Sequence, residues 1–301
     1  MKVLVTGASG MIGAALCDAL LARGETVVGL TRDPQRVRGT NPSVTWHPWE
    51  PMLERPPAEA FEGVNGLVHL LGEKINQRWS EGAKRRIMES RRTGTRNLVA
   101  AIAGLERKPG VLVNQAAIGL YGDRGEAIVD ESADPGKGFD AEVVQEWEAA
   151  ARGVEASGVR LVVVRTGHVL DPNDGFLAAL LPPFKLGVGG PLAGGRQYVS
   201  WIHIEDEIGI LLWALDNDRV SGVVNATAPN PVTNREFSQA LGRALHRPAA
   251  MPVPGFVLDL KFGAEFGQVL RGGQRVVPRR ALDLGYEFRF TDIDTALQNL
   301  L

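Results

Sequence analysis

Val3-Leu4-Val5-Thr6-Gly7-Ala8-Ser9-Gly10-Met11-Ile12-Gly13 stands at the head of the chain. An apolar run with strand character enters three glycines spaced G-x-x-G-x-x-G, and helical periodicity follows from Met11 to Arg23. Each glycine has its own reason in this pattern. Gly7 permits the tight turn, Gly10 keeps side-chain bulk away from an approaching pyrophosphate, and Gly13 lets the helix pack closely on the strand. The helix N-terminus then offers unpaired N–H groups and partial positive charge to phosphate oxygens. Gly7, Ser9, Gly10, Met11, Ile12 and Gly13 are therefore read as cofactor-binding. A glycine triplet alone is weak; strand–turn–helix context is what gives it meaning. The competing reading is a purely structural glycine turn in another α/β fold.

Outward from this segment the pattern repeats. Short apolar runs at Thr26–Leu30, Val44–Trp46, Leu67–Leu71, Val111–Ala117 and Val159–Arg165 read as strands. Between them Arg85–Ala103 and Ala141–Ala156 read as helices. Strands alternating with helices predict an α/β fold, a Rossmann-type doubly wound parallel sheet. Fully apolar runs such as Leu161-Val162-Val163-Val164 suit strands buried on both faces. After about residue 170 the rhythm changes. Pro182-Pro183 and the glycines from Gly187 to Gly195 predict a turn-rich stretch, either a mobile lid or an ordinary surface loop. Beyond it Tyr198–Ile202 and Val223-Val224 read as strands, and Glu205–Leu215 and Asn234–Leu245 as helices. The division expected is residues 1–170 as a nucleotide-binding domain, with later segments crossing back, and residues 171–301 as a smaller α/β lobe.

Composition narrows the function. With 301 residues, 44% hydrophobic and 23% charged, the chain can bury a sizeable core. A net charge of −2 gives no electrostatic case for a nucleic-acid or anionic-membrane partner. The single cysteine, Cys17, excludes an internal disulfide and fits a reducing compartment. No basic segment precedes an apolar one at the N-terminus, so a cytoplasmic location is expected. The five histidines are scattered without metal-ligand spacing, so no metal site is expected.

The end of the second strand discriminates between dinucleotides. An acid there bonds the ribose 2′-hydroxyl of NAD, whereas an arginine accommodates the 2′-phosphate of NADP. The chain continues Thr31-Arg32-Asp33. Thr31 occupies the acidic position and Arg32 can pair with a phosphate, so NADP is the expected cofactor. Asp33 is either a displaced ribose ligand or a helix N-cap.

These residues, with Leu67-Val68-His69-Leu70, Leu120-Tyr121-Gly122 and Trp201-Ile202-His203-Ile204-Glu205-Asp206, resemble the extended short-chain dehydrogenases/reductases. The resemblance is closest to an atypical epimerase/dehydratase-like subfamily with a C-terminal extension of unknown function. Leu71-Gly72-Glu73-Lys74-Ile75, Arg78-Trp79, Glu89-Ser90-Arg91, Trp147-Glu148 and Arg275-Val276-Val277-Pro278 carry it. It implies that Leu70, Leu71 and Gly72 lie near the adenosine and ribose. It also implies that Arg91 approaches the cofactor, and that Gly167 to Val169 sit by the nicotinamide.

The wider family works with a Ser/Thr, a Tyr and a Lys, the last two one helical turn apart. Matching Glu148 to the family's downstream Glu puts Asp140 and Val144 at the Tyr and Lys positions, and the Ser position, four residues before Tyr121, is Ala117. Ordinary tyrosine-driven hydride transfer is therefore unsupported. Glu73, Asn114 and Tyr121 are the remaining catalytic candidates, each with a structural alternative: a backbone-bonding carboxylate, a local amide network, a packed ring. His69 and His203 read as core histidines. Two functions follow from this. One is an NADP(H)-dependent oxidoreductase or epimerase-like enzyme acting on a small-molecule substrate, with sugar nucleotides among the options. The other is a non-catalytic NADP-binding redox sensor or partner-binding protein. The resemblance leaves the oligomeric state open and implies as one option a homodimer through the helices at 85–103 and 141–156, with Trp147 as interface anchor or core. Phe184, Trp201 and Phe262 would give the second lobe an apolar wall.

Overall fold

The computed structural model describes residues 1–37 and 41–301. The first half runs β1 (Lys2–Thr6), α1 (Met11–Ala22), β2 (Thr26–Thr31), α2 (Pro34–Val37), β3 (Thr45–Pro48), β4 (Gly66–His69), α3 (Glu81–Ala103), β5 (Val111–Ala117), β6 (Ile128–Val129), α4 (Phe139–Arg152) and β7 (Arg160–Thr166). The second half runs β8 (His168–Leu170), α5 (Gly175–Lys185), β9 (Tyr198–Val199), β10 (Trp201–His203), α6 (Ile204–Asp216), β11 (Gly222–Ala226), β12 (Val232–Thr233), α7 (Asn234–Ala244), α8 (Gly255–Phe262), α9 (Ala264–Arg271), β13 (Arg275–Val276), α10 (Arg279–Asp283) and α11 (Ile293–Leu300).

Seven parallel strands form the central sheet in the order β11-β7-β5-β4-β1-β2-β3. The expected doubly wound α/β architecture is present. Strand order reverses between β1 and β4, so a crevice opens there at the carboxyl ends of the strands. The pleat separates two cores. Val3 and Val5 join Leu16 and Leu20 of α1 and Leu211 and Leu215 of α6 on one face. Leu4, Leu67 and Leu112 join Leu98 and Ile102 of α3 and Ala151 of α4 on the other. From the second half of the chain, α6 and β11 belong to this central layer. The remaining core of that half gathers Leu170, Phe184, Trp201, Phe237 and Leu297.

Several boundaries differ from the sequence reading for physical reasons. Helix α3 starts at Glu81 because Ser80 caps it, accepting from the N–H of Ala83 at 3.3 Å. The helix expected over 141–156 ends as α4 at Arg152 and tightens to a 3₁₀ turn before Gly158, which adopts φ +75°. The run 198–202 breaks at Ser200, whose hydroxyl turns away to bond the carbonyl of Gln274 at 2.7 Å. Pro182 and Pro183 lie inside α5 rather than in a loop. The buried Leu177, Leu181 and Phe184 hold that helix against its intrinsic propensity. Among the described residues no helix is long and apolar enough to cross a membrane.

Candidate functional site

The turn after β1 is built by contact distances. Gly7 has φ +67°, and a Cβ there would lie 2.8 Å from the carbonyl oxygen of Leu70. A Cβ on Gly13 would lie 2.2 Å from the carbonyl oxygen of Gly7, so α1 packs against the turn only without one. The N–H of Gly10 donates to Gly7 O at 2.9 Å and closes the turn. Gly10 caps α1 with no side-chain hydrogen bond, so the first-turn N–H groups at Met11, Ile12 and Gly13 keep their donors for a ligand. Ser9 and Gly10 are exposed at this point, and Met11 and Ile12 are half-buried. A cradle that a Cβ would fill, open to solvent and lined by free N–H groups, fits a dinucleotide pyrophosphate.

At the end of β2 the hydroxyl of Thr31 accepts from the N–H of Asp33 at 3.2 Å. The Asp33 carboxylate accepts from the N–H of Gln35 at 3.1 Å, which is the N-cap alternative. Arg32 is exposed and makes no ion pair among the described residues.

Beyond β4 the loop is held from below. His69 is buried between the hydroxyls of Thr6 (2.7 Å) and Thr95 (2.9 Å), and burial lowers its pKa to about 3. It is a satisfied, neutral core histidine. Leu70 and Leu71 are half-buried and Gly72 is exposed. The guanidinium of Arg91 lies under this loop: Nη1 donates to Glu73 O at 3.0 Å and Ile87 O at 3.3 Å. It also sits 4.9 Å from the Trp147 ring, and burial pushes its pKa down to about 10. Ser90 accepts from the N–H of Glu73 at 3.0 Å. The Glu73 carboxylate meets Gln77 at 3.3 Å and Arg86 at 3.7 Å, in a half-exposed position. Arg91 and Ser90 thus fix the backbone that carries Leu70 to Glu73.

Two catalytic candidates are enclosed. Tyr121 is fully buried; its hydroxyl donates to Asn225 Oδ1 at 2.7 Å and accepts from Arg165 Nη1 at 2.9 Å. Asn114 is fully buried too, its amide donating to Gln115 O at 2.8 Å. The Tyr121 hydroxyl is taken up by Asn225 and Arg165, as in the packed-ring alternative, and the Asn114 amide nitrogen bonds locally while its Oδ1 is buried without a hydrogen-bond partner among the described residues. Trp147 is core, beneath Arg91. Val144 is core as well. Asp140 is buried near Gly119, and that burial raises its pKa.

Other polar groups at the strand ends were not legible as site residues. Thr166 is the register partner of Ala117. Its hydroxyl receives Gln115 Nε2 at 3.5 Å and donates to Glu207 Oε1 at 2.9 Å. Glu207 is fully buried with Oε2 unpartnered, and desolvation lifts its pKa to about 8. Past Thr166, Gly167 has no room for a Cβ, which would lie 2.4 Å from Ser200 O. Val169 is buried, and His168 is half-buried between them.

Further contacts assemble the crevice walls. The head of α5 reaches the glycine turn, with a Cβ on Gly175 falling 3.5 Å from Met11 Sδ. Lys74 and Asp174 approach at 3.8 Å across the rim. Trp79 packs on Phe139 and Phe266, each at 5.0 Å between ring centroids, and Phe262 meets Phe266 at 5.6 Å. This aromatic cluster ties the loop before α3 and the head of α4 to α9. Phe184 and Trp201 belong instead to the core of the second lobe. Part of the glycine-rich run 187–195 is an ordered ladder on residues 251–253, with Met251 N to Gly189 O at 3.3 Å and Val253 N to Pro191 O at 2.9 Å. A loop packed this way is not a free lid. Among the described residues no group of three or more His, Cys, Asp or Glu could hold a metal ion.

Residues 3–226 match the NAD dependent epimerase/dehydratase family, and residues 253–300 match a domain of unknown function, DUF1731. The chain is 38% identical over 306 residues to the human epimerase family protein SDR39U1, covering 100% of both chains. It is 33% identical over 302 residues to the epimerase family protein YfhF of Bacillus subtilis, covering 100% of this chain and 98% of the relative. Among solved structures, human SDR39U1 (isoform 2) with NADPH superposes with a TM-score of 0.90 at 37% identity, covering 100% of this chain and 99% of that one. A nucleoside-diphosphate sugar epimerase from Corynebacterium glutamicum superposes with a TM-score of 0.78 at 31% identity, covering 100% of this chain and 58% of that one.

Proposed function

The chain belongs to the NAD dependent epimerase/dehydratase family, and from that premise we propose that it is an NADP(H)-dependent oxidoreductase or epimerase-like enzyme acting on a small-molecule substrate. The observation that carries this reading is the open, side-chain-free turn Gly7–Gly13 at the strand-order reversal, with Arg32 uncommitted nearby. The N–H groups of Met11, Ile12 and Gly13 would bind the pyrophosphate, and Thr31 with Arg32 the 2′-phosphate. The NADPH bound by human SDR39U1 supports the same choice of dinucleotide. Leu70, Leu71 and Gly72 would line the adenosine and ribose side, on a backbone that Arg91 and Ser90 hold in place. Gly167 and Val169 would flank the nicotinamide end, which when bound supplies or accepts a hydride. The aromatic cluster around Trp79 would hold the loop that follows Gly72 against α4 and α9. The single cysteine, Cys17, is consistent with a reducing, cytoplasmic setting.

One observation favours a second reading, a non-catalytic NADP-binding sensor: Ala117, Asp140 and Val144 stand where a hydroxyl, a phenol and an amine would be needed. A single experiment separates the two. The purified protein is titrated with NADPH and NADH, following nicotinamide fluorescence, and then offered a panel of carbonyl compounds. Tighter NADPH binding followed by oxidation supports the enzyme. Tight NADPH binding with no consumption across the panel supports the sensor, and no binding of either nucleotide overturns both.

A further inference from the structure

Within the proposed enzyme, a reaction that moves a hydride to or from a carbon bearing oxygen also moves a proton to or from that oxygen. The usual phenol is missing, Tyr121 is sealed in the core, and Glu73 is committed to Arg86 and Gln77. His168 has the geometry that these lack. It is the first residue of β8, two residues past Thr166, and therefore lies just beyond the carboxyl edge of the central sheet. Its direction is fixed, because Gly167 is clamped by its N–H to Ala226 O at 2.9 Å and has no space for a side chain.

The ring is held from two sides. Nδ1 lies 3.3 Å from the carbonyl oxygen of Ser200, and the Phe176 ring lies 4.8 Å away, centroid to centroid. A carbonyl only accepts, so Nδ1 carries the hydrogen and Nε2 carries the lone pair. Phe176 follows Gly175, the residue seated against Met11 of the glycine turn, and its ring packs on Phe237 at 5.3 Å, so the imidazole rests on the stretch of α5 that borders the glycine turn. Nε2 has no protein partner among the described residues. It is also not sealed in, unlike Nε2 of His203, which is buried and unpartnered.

We propose that His168 is the catalytic acid–base of this site, exchanging a proton with the substrate oxygen through Nε2. The inference rests on the NADP(H)-dependent reading. In alcohol oxidation the C–H pair of electrons leaves as hydride for the nicotinamide and the O–H proton passes to Nε2. The C=O bond forms, and the imidazolium then releases its proton to solvent. In carbonyl reduction the imidazolium gives the proton to the oxygen as hydride arrives at carbon. Burial lowers the pKa of the ring from its ordinary value and the Ser200 carbonyl partly offsets this, so the resting ring is neutral at pH 7. The carboxylates on the neighbouring elements are Asp174 at the head of α5 and Glu205 and Glu207 on α6, of which Glu205 is paired with Arg289 and Glu207 is bonded to Thr166.

The test uses the full chain saturated with NADPH alone and reads nicotinamide fluorescence between about pH 5 and 8, the range in which an imidazole titrates. The wild-type complex should show a transition below the ordinary histidine value of 6.5. His168→Gln should lose it, His246→Gln should keep it, and all three should bind NADPH within about twofold of one another. His168→Asn is the second variant, since its amide N–H can still reach the Ser200 carbonyl while nothing titrates. A transition that survives in both His168 variants, or is absent from the wild type, overturns the assignment. Failure of all the proteins to bind NADPH overturns the cofactor reading itself, which is a distinct result. With any substrate found in the carbonyl panel, His168→Gln should lower kcat by roughly 100-fold or more and remove the fall in kcat that the wild type shows as pH rises and the imidazolium is lost. A kcat within about threefold of wild type would equally overturn it.

Discussion

Arg165 and Glu148 grip each other in two parallel hydrogen bonds inside the protein: Nε to Oε1 at 2.7 Å and Nη2 to Oε2 at 3.0 Å, both residues buried. The third guanidinium nitrogen reaches the Tyr121 hydroxyl at 2.9 Å. The pair therefore ties α4 to β7 and to the turn after β5. Removing one partner leaves the other as an uncompensated buried charge. Glu148→Gln should cost about 3–5 kcal/mol, seen as a lower urea midpoint with unchanged m. Replacing both partners with apolar residues of similar volume should restore most of that loss. If the double variant is as unstable as the single one, the cost lies in packing and not in charge.

Tyr121 hangs on the same network. Tyr121→Phe removes bonds to Arg165 and Asn225 but keeps the ring, so stability should fall by about 1–3 kcal/mol. NADPH affinity should not change, because the hydroxyl faces the core. A tenfold weaker fluorescence-monitored Kd in this variant would put Tyr121 back in the crevice.

Glu207 gives the fold a pH dependence of definite sign. Burial pushes its folded pKa up to about 8, from an ordinary value of 4.5. Between those two values the folded protein holds a proton that the unfolded chain has released. This contribution is fully present below about pH 4.5 and is lost as the pH rises towards about 8. The slope is at most about 1.4 kcal/mol per pH unit. Glu207→Gln keeps the acceptor for Thr166 and cannot ionise, so its stability should vary less with pH, and the variant should overtake wild type near pH 8. Parallel stability curves from denaturant melts across that range would refute the shift.

What could be read from the sequence tracks what is local in the chain. The glycine turn and the strand–helix alternation rest on short patterns that can be read within a few residues, and His69 reads as core from the apolar run around it, although the threonines that satisfy it lie 63 and 26 residues away. The Gln115–Thr166–Glu207 chain joins residues far apart in sequence that meet through strand register and a returning helix, and no spacing announces it. Tyr121 illustrates the same limit from the other side. It stands in a Tyr-Gly-Asp turn, where exposure is the ordinary expectation, yet its ring is drawn inward by Arg165 and Asn225, 44 and 104 residues away. His168 sits in a segment that the sequence marked for the nicotinamide end. What singles it out is the Ser200 carbonyl, which fixes the tautomer and comes from the break between β9 and β10, thirty-two residues on.

Arg32 provides the sharpest test of cofactor choice. It is exposed and free of ion pairs among the described residues, while Thr31 beside it brings no negative charge. Asp33, the one nearby carboxylate in the Thr31-Arg32-Asp33 run, caps the N–H of Gln35. A guanidinium in this position attracts a 2′-phosphate through charge-assisted bonds, each contributing about 1.5–3 kcal/mol. Arg32→Asp exchanges that attraction for repulsion and offers the ribose hydroxyls of NADH an acceptor. NADPH affinity should fall by roughly 10- to 100-fold while NADH affinity holds or improves, so the preference reverses. Because the site is exposed, the wild-type preference for NADPH should also narrow as salt rises, and the variant should be much less sensitive to salt. Fluorescence titrations of both proteins with both nucleotides at low and high salt measure all of this together. Unchanged NADPH affinity in Arg32→Asp would take the 2′-phosphate away from Arg32.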